Sequence, residues 1–424
     1  MFKIIAACLA ATSCVAMAQA QDEAAMAPAP SRAPFTLDQA LAAIGAGAPS
    51  TDAAQAGMEA AEAARTVAGL RPNPTIQTEV ENIAGSGPYG GFNQAETTLG
   101  MSIPIELGGK RPARIAVADA QARRAELTAA IMQADLRFQV VQLYIGAVAA
   151  QRRVAIAEDQ RRIAQNALDA AALRVRAGRA SPIEEQRADV ARLNAQAGAD
   201  RARRLAIAAR TNLARRIVQP IDAPLDEAML DHMPVATQGP PLSDSSGTLA
   251  MAAADADLST ADAGIRLARS QSVPDLTVGP GIRRLEATND TAAVFSISIP
   301  IPLFNAGKAS VAQARAQQRK AEAERRMTAL DVDQAINDAQ AEADIAATMA
   351  RNANGPALAA AQEAARIARI GYREGKFGQL DLLDAERTLA ETRLAATEAL
   401  AAYHNAKARL ERLTAPAPQQ GHGR

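Results

Sequence analysis

The sequence is 424 residues long, has no net charge at pH 7 and is poor in aromatic residues, which make up 3% of the chain. Basic and acidic residues each number 46, so no overall basic field indicates nucleic-acid binding. Hydrophobic residues make up 48%, but alanine dominates them and tryptophan is absent. A broad globular core needs large side chains, so this composition favours narrow packing between helices.

The N-terminus predicts export. Lys3 gives a positive start, residues 4–15 an apolar core and Ala18-Gln19-Ala20 a cleavage site, so residues 1–20 are predicted to be a signal peptide. A lipid anchor at Cys14 is the alternative, although the residues before it fit poorly. No later apolar run reaches about 18 residues, so the exported chain is predicted to be periplasmic, secreted or inserted as a β-barrel.

The remaining chain reads as a duplication in which a helix, a hairpin, a very long helix and a return helix occur twice. Pro74 matches Pro274 and Lys110 matches Lys308, at offsets of 200 and 198 residues. The predicted units are a mobile Ala/Pro-rich tail (21–35), a first repeat (36–218), a connector (219–247), a second repeat (248–413) and a flexible tail (414–424). The first repeat has its hairpin at 75–105, long helix at 110–177 and return helix at 182–218; the second has them at 275–301, 308–371 and 380–413.

Two strand-to-helix junctions organise this pattern. Ile103-Pro104-Ile105 and Ile299-Pro300-Ile301 each close an alternating run and precede a long helical run. Proline fits at a strand end and beside the first turn of a helix, where its missing N–H is not needed. The residues predicted to build these junctions, as structural elements, are Pro104, Gly108, Gly109, Pro300 and Gly307.

Four strands with one apolar face cannot close a barrel alone, and an open edge is forbidden in lipid. Several copies could each donate four strands to one closed membrane barrel, because strands of about ten residues match a tilted membrane span. A heptad seam in the first long helix implies partner helices that continue the wall below the membrane. The sequence therefore predicts an oligomeric barrel joined to a helical tube.

This pattern resembles the outer-membrane efflux protein family (TolC-like outer membrane factors). The resemblance rests on the duplication, the two junctions, and the turns Arg176-Ala177-Gly178 and Arg373-Glu374-Gly375, which are similar to the family's R-x-G helix-tip motif. Residues 103–111 look most like the cobalt–zinc–cadmium branch. The resemblance implies a mainly α protein with a membrane β-barrel part: a homotrimer whose 12-stranded barrel in outer-membrane lipid continues as a periplasmic α-helical tunnel. It also implies two partners, a periplasmic adaptor and an inner-membrane pump.

The resemblance also implies an acidic constriction at the periplasmic end of the tunnel. Gly375, Asp381 and Asp384 meet the family pattern, and Glu184 is the acid at the corresponding helix start in the first repeat. In a trimer each position would make a ring of three carboxylates able to attract cations. An acid at the third position of a helix also caps its N-terminus, so Asp381 and Glu184 have this simpler interpretation.

Arg176, Gly178, Arg373 and Gly375 are the candidate adaptor-docking residues at the helix tips. A glycine after a long helix is first of all a left-handed C-cap, and an arginine in the last turn complements the helix dipole. The docking interpretation adds to this local role only the expectation that the tips are exposed and available to a partner. Both interpretations stay open.

No catalytic motif and no metal-ligand cluster is evident, so no enzyme activity, resident metal or cofactor is predicted. The expected function is a passive exit duct of a three-part efflux pump of the resistance-nodulation-division type, exporting divalent heavy-metal cations. The alternatives are the same duct for drugs, aromatics or type I secretion, and a periplasmic coiled-coil structural or adaptor protein. Cargo is chosen upstream by the pump, so the sequence alone leaves it open.

Overall fold

A computed structural model describes residues 33–44, 49–232 and 245–418. The first half contains α1 (Leu37–Ala43), α2 (Pro49–Ala68), β1 (Thr75–Glu81), β2 (Glu96–Ile105), α3 (Lys110–Arg176) and α4 (Pro182–Arg216). The short α5 (Ala228–Asp231) follows, and then α6 (Leu249–Gln271), β3 (Leu276–Leu285), β4 (Asp290–Ser298), α7 (Lys308–Asn352), α8 (Leu358–Arg373) and α9 (Gln379–Leu413). The predicted signal peptide, Cys14 and most of the predicted N-terminal tail lie outside the described residues.

The longest element is α3, whose 67 residues extend about 100 Å at 1.5 Å per residue. It packs against α4 on one side and against α2, α6 and α9 elsewhere along its length. Within the described ranges, no helix combines the length and apolarity needed to cross a bilayer.

The four strands form one antiparallel sheet in the order β1-β2-β3-β4. The two hairpins pair within each half, and β2 pairs with β3 across the halves. Strands β1 and β4 are therefore the edges of the sheet. Each edge presents backbone N–H and C=O groups that need a further partner.

The sheet has one apolar and one polar face. Directly opposite residues share a face, so the register assigns every side chain to one of the two. The apolar face carries Ile76, Val80, Leu99, Met101, Ile103, Val278, Ile282, Phe295 and Ile297, and it also includes Thr78, Thr97, Thr291 and Arg284. The polar face carries Gln77, Glu79, Glu81, Glu96, Thr98, Ser102, Arg283, Ser296 and Ser298. Most of the apolar side chains are exposed in the single chain, as a lipid-facing surface would be.

The first strand-to-helix junction is held to the start of β3 by Asp275. Its Oδ1 accepts a hydrogen bond from the Leu107 N–H at 3.1 Å and lies 2.7 Å from the Lys110 ammonium. Arg114 forms an ion pair with Glu106 and donates to the Leu70 carbonyl at 3.0 Å, which ties α3 to the end of α2. The hydrogen bond from Arg114 holds the pKa of the Glu106 carboxyl below its ordinary value.

The second junction departs from the predicted hairpin at 275–301. Strand β4 ends at Ser298, so Ile299-Pro300-Ile301 lies outside the sheet, whereas Ile103-Pro104-Ile105 is the last part of β2. The difference comes from the neighbouring strands. Residues 103–105 extend past β1 but still pair with β3 on their other side. The equivalent part of β4 has no strand on its outer side, because β4 is an edge of the sheet.

The two hairpins also correct the alignment of the repeats. Thr75 lies opposite Ser102 in the first hairpin, and Thr277 lies opposite Ser298 in the second. Thr75 and Thr277 are thus equivalent at an offset of 202 residues. Pro274 therefore corresponds to Pro72, and the match to Pro74 that the sequence suggested is wrong by two residues.

The predicted continuous helix at 308–371 is interrupted. A π-helical turn, Ala353–Ala357, separates α7 from α8, with Gly355 at φ −103° and ψ −106° and Pro356 inside it. Proline lacks the N–H that an α-helix needs and clashes with the preceding turn, so the backbone bulges here. The alanine-rich pattern on both sides hid this break. Helix α3 has no such turn.

The main core lies midway along the long helices, around the Tyr144 side chain of α3. The hydroxyl of Tyr144 donates to the Phe35 carbonyl at 2.8 Å, and the Phe35 N–H donates to the Pro224 carbonyl at 2.8 Å. Phe35 is thus anchored, although the sequence placed it in a mobile tail. The described part of the predicted flexible C-terminal tail is held too, since the Leu249 N–H donates to the Ala415 carbonyl at 3.1 Å.

Gly108 and Gly109 provide a matched test of the first junction. Both are left-handed, with φ of +70° and +72°, which costs a non-glycine residue about 1–2 kcal/mol. A Cβ on Gly108 would lie 2.5 Å from the Val273 Cβ, whereas the nearest atom to one on Gly109 is 3.8 Å away. Gly108→Ala should therefore lower the thermal midpoint clearly more than Gly109→Ala. Equal shifts in a thermal melt of the purified protein would show that the contact with Val273 is unimportant.

The helix tips as the candidate functional site

The two helical hairpins α3/α4 and α8/α9 end in turns of the same construction. In the first, the N–H of Gly178 donates to Val175 O at 2.9 Å and that of Arg179 to Arg174 O at 2.8 Å. In the second, Gly375 donates to Tyr372 O at 3.1 Å and Lys376 to Gly371 O at 2.8 Å. Both central glycines are left-handed, with φ of +68° and +71°. These are Schellman caps, in which a left-handed glycine lets the last carbonyls of the helix find donors.

The four predicted docking residues lie on these exposed turns. Arg176 and Arg373 occupy equivalent last helical positions, two residues before Gly178 and Gly375, and all four are exposed. The Arg176 Nε donates to Ala172 O at 3.3 Å, so its guanidinium also caps its own helix. No Cβ at either glycine would meet another atom within 4 Å. The local capping role is therefore visible, and docking stays a prediction.

The first tip is closed by charge. Arg174 on α3 lies 3.8 Å from Glu184 on α4, so the predicted constriction acid Glu184 faces an arginine of its own hairpin. Ser181 precedes α4 and makes no side-chain hydrogen bond to its first turn, so Ser181 and Glu184 form no capping box, and the simpler interpretation of Glu184 as a cap is wrong. At 3.8 Å the contact with Arg174 is an ion pair without a hydrogen bond, and the Glu184 Oε2 atom is buried with no hydrogen-bond partner.

The second tip is closed by packing. A Cβ on Gly371 would lie 2.1 Å from the ring of Phe377, so the aromatic ring lies directly on the glycine of α8. Asp381 accepts a hydrogen bond from the Gly378 N–H at 2.9 Å. It therefore caps α9, as the simpler interpretation of this residue expected. The carboxylate remains exposed at the tip while it does so.

Asp384 lies one turn further along α9. It is exposed, and at a spacing of three residues it shares a helix face with Asp381. It takes no part in the cap. The structure thus brings the two predicted acids of α9 together on one exposed face, while Glu184 belongs to the other hairpin.

Sequence reasoning missed a buried ion pair just behind these acids. Glu386 is 4% exposed and receives two hydrogen bonds from Arg369 of α8, one of them at 2.8 Å. The hydrogen bond that Arg369 donates to the Glu386 carboxylate raises the pKa of the Arg369 guanidinium. A fork-shaped pair of this kind fixes both side chains and so fixes how α8 lies on α9. Its sequence signal is weak, because the two residues are separated by the turn.

The same region is joined to the long helix α3. Gln160 of α3 donates to the Glu386 carbonyl at 3.3 Å. Asp159, its neighbour, lies 3.5 Å from the Arg393 guanidinium of α9. One amide hydrogen bond and one ion pair therefore hold the hairpin α8/α9 against α3 a few turns behind the tips.

The chemistry of the tips is electrostatic. Across residues 33–44, 49–232 and 245–418, no group of three or more His, Cys, Asp or Glu side chains is placed to hold a metal ion. What the tips offer is exposed carboxylates near one helix start, exposed guanidinium groups at two helix ends, and a rigid ionic frame behind them. Such groups select or attract ions by charge.

Solved structures identify the fold as that of outer-membrane channels. The chain superposes on CusC, solved in a study of folding and transmembrane channel formation, with a TM-score of 0.75 at 17% identity, covering 90% of this chain and 92% of that one. It superposes on the MtrE outer membrane channel of Neisseria gonorrhoeae with a TM-score of 0.72 at 20% identity, covering 89% and 88%. The predicted fold class is thereby confirmed.

Sequence comparison then gives the family. The model of the outer membrane efflux proteins matches residues 40–217 and 246–415, and this chain belongs to that family. It is 30% identical over 410 residues to the cobalt-zinc-cadmium resistance protein CzcC of Cupriavidus metallidurans, covering 94% of this chain and 95% of that one. It is 28% identical over 293 residues to the nickel-cobalt-cadmium resistance protein NccC of Alcaligenes xylosoxydans xylosoxydans, covering 68% and 64%. The predicted resemblance to the cobalt–zinc–cadmium branch is confirmed.

The ion pair of Glu386 can be tested against a surface pair on the same helix. Glu386→Ala removes the buried partner of Arg369, and an uncompensated polar group of this kind costs about 1–3 kcal/mol. We place the loss at the lower end, because Arg369 is half exposed and can turn to water. The control is Glu391→Ala, which breaks the exposed pair with Arg387 and should cost less than about 0.5 kcal/mol. Denaturant unfolding measures both, and a loss for Glu386→Ala no larger than that of the control would contradict the structural role.

Proposed function

We propose that this chain is the outer-membrane exit duct of a three-part efflux system of the resistance-nodulation-division type, with divalent heavy-metal cations as its cargo. The duct part rests on membership of the outer membrane efflux family and on the shared fold. The observation that carries the cargo is the similarity, over nearly the whole of both chains, to a cobalt-zinc-cadmium resistance protein. An enzyme activity finds no support in this family and fold.

The architecture supports an assembly of three copies in outer-membrane lipid. The sheet has four strands, a continuous apolar face and two free edges, so it needs further strands before lipid can surround it. Three copies supply 12 strands, a number at which bacterial barrels are known to close. The helices would then extend from the barrel into the periplasm as a tunnel. This is the assembly that the family implies.

At the far end of the tunnel we place the partners. The exposed turns around Gly178 and Gly375 are the docking surface for a periplasmic adaptor, which connects the duct to an inner-membrane pump. Arg176 and Arg373 provide the exposed charge of this surface. Energy for export comes from the pump, since the duct itself offers a passive path.

Asp381 and Asp384 form the constriction in this proposal. In a trimer, two adjacent rings of three carboxylates attract divalent cations and disfavour anions. Asp381 caps α9 as well, and the two roles are compatible because its carboxylate stays exposed. Glu184 is the weaker candidate, since it faces Arg174 of its own hairpin at 3.8 Å.

The cargo can be tested in the organism that carries the gene. Deleting the gene should lower the tolerated concentrations of Co²⁺, Zn²⁺ and Cd²⁺ several-fold, and a plasmid copy should restore them. Tolerance of a lipophilic cationic dye serves as the comparison. Sensitisation to the dye alone would overturn the metal cargo and keep the duct. Unchanged tolerance of every compound would overturn the duct.

The carboxylate rings can be tested in planar bilayers. Asp384→Asn removes one ring without touching the cap, and Asp381→Asn removes the other while its amide oxygen can still accept from Gly378. The double variant should lose most of the preference for cations over anions in single-channel recordings. Glu411→Gln, on the same helix about 45 Å from Asp381 at 1.5 Å per residue, is the control and should keep the preference. If the double variant behaves like the control, neither aspartate belongs to the constriction.

A further inference from the structure

The contact between the two repeats is a seam formed by β2 and β3. Its antiparallel register places Leu99 opposite Ile282, Ile103 opposite Val278 and Pro104 opposite Thr277. Apolar side chains of the two repeats thus meet on one face of the sheet. At the end of the seam next to α3, Asp275 and Lys110 form an ion pair of 2.7 Å.

The hairpins give the residue equivalence between the repeats. The two Ile-Pro-Ile junctions align each residue of β2 with the residue 196 positions later in β4, so Ser102 corresponds to Ser298. Each residue of β1 corresponds to the residue 202 positions later in β3, as Thr75 does to Thr277. The offset of 202 residues also aligns Pro72 with Pro274, an independent match of two prolines just before β1 and β3.

Each free edge of the sheet is therefore the counterpart, in the other repeat, of an edge that is paired in the seam. The free edge of β4 is equivalent to the β2 edge that pairs with β3. The free edge of β1 is equivalent to the β3 edge that pairs with β2. A second copy of this chain therefore fits each free edge. Its β1 can pair with the free edge of β4 as β3 pairs with β2, and its β4 can pair with the free edge of β1 in the same way.

We propose that the seam between neighbouring copies repeats the seam between repeats, residue for residue. Applying the two offsets to the observed register places Phe295 opposite Val80 of the neighbouring copy, Ile299 opposite Ile76 and Pro300 opposite Thr75. This proposal rests on the proposed trimer and deepens it by naming the residues in contact. Pro74, which has no N–H to donate, ends the pairing.

The side chains of three pairs at the new seam are complementary. On the apolar face, Ile299 meets Ile76 and Phe295 meets Val80, all of them exposed in the single chain. On the polar face, Ser296 meets Glu79. The apolar and polar faces of one sheet thus continue into those of the next. Ile299 and Pro300, which lie outside β4 in the single chain, gain the strand partners that Ile103 and Pro104 already have.

Pairs of cysteines test this register. Directly opposite residues bring their Cβ atoms about 4.5–5.5 Å apart, close to disulfide geometry, whereas a shift of two residues separates them by about 7–8 Å. Ile76→Cys with Ile299→Cys should give covalent dimers and trimers on non-reducing gels after mild oxidation in membranes. A bond within one chain is excluded, because β1 and β4 are three strand spacings, about 14 Å, apart.

The controls use the same chemistry. Ile76→Cys with Ile297→Cys, and Ile76→Cys with Ile301→Cys, represent the two neighbouring registers and should crosslink far less. Ile103→Cys with Val278→Cys, the equivalent pair inside one chain, should form a bond within the monomer and shows that oxidation works. The parent chain controls for Cys8 and Cys14, its two natural cysteines.

The outcomes separate the register from the trimer. Native-size measurement of the unoxidised variants reports the assembly. A trimer that crosslinks through Ile76 and Ile299 supports the proposal. A trimer that crosslinks only through a shifted pair, or through none while the 103–278 pair reacts, overturns the register and leaves the duct intact. A chain that remains monomeric in the membrane overturns the proposed trimer itself.

Discussion

The unpaired edges of a four-stranded sheet are the constraint on which the rest of this structure depends. A sheet with an apolar face on all four strands belongs in lipid, and lipid offers no partner for a backbone N–H or C=O group. A single copy leaves β1 and β4 open. The duplication answers this constraint, because two similar halves that pair with each other also have the edges needed to pair with a neighbouring copy.

The long helices follow from the same duplication. Each hairpin leads into a helix that begins at a left-handed glycine, Gly109 or Gly307. Asp275 fixes the first of these junctions by binding both Lys110 and the backbone of Leu107. A strand direction set in the sheet is therefore carried, through a short rigid link, to tips that lie many turns away. The position of Arg176 or Asp381 depends on that link as much as on the tip itself.

Patterns with a regular period were readable from the sequence, and contacts without one were not. Alternation along β1 to β4 and the heptads of α3 predicted the sheet and the tube, since both periods repeat over many residues. The pair of Arg369 and Glu386 depends on how two helices face each other across a turn, which no local pattern encodes. The anchoring of Phe35 by Tyr144 depends on residues 109 positions apart. The π-helical turn had a local signal in Gly355-Pro356, but the helical pattern around it was stronger.

That turn makes the two long rods mechanically unequal. Helix α3 is continuous, whereas α7 and α8 are separated by a turn in which Pro356 cannot donate a backbone hydrogen bond. A helix bends most easily where its hydrogen bonding is interrupted. We therefore expect a sideways force on the second tip to bend the chain at Gly355, whereas the same force on the first tip is spread along α3. In a trimer, continuous helices α3 and interrupted helices α7/α8 would alternate around the tunnel.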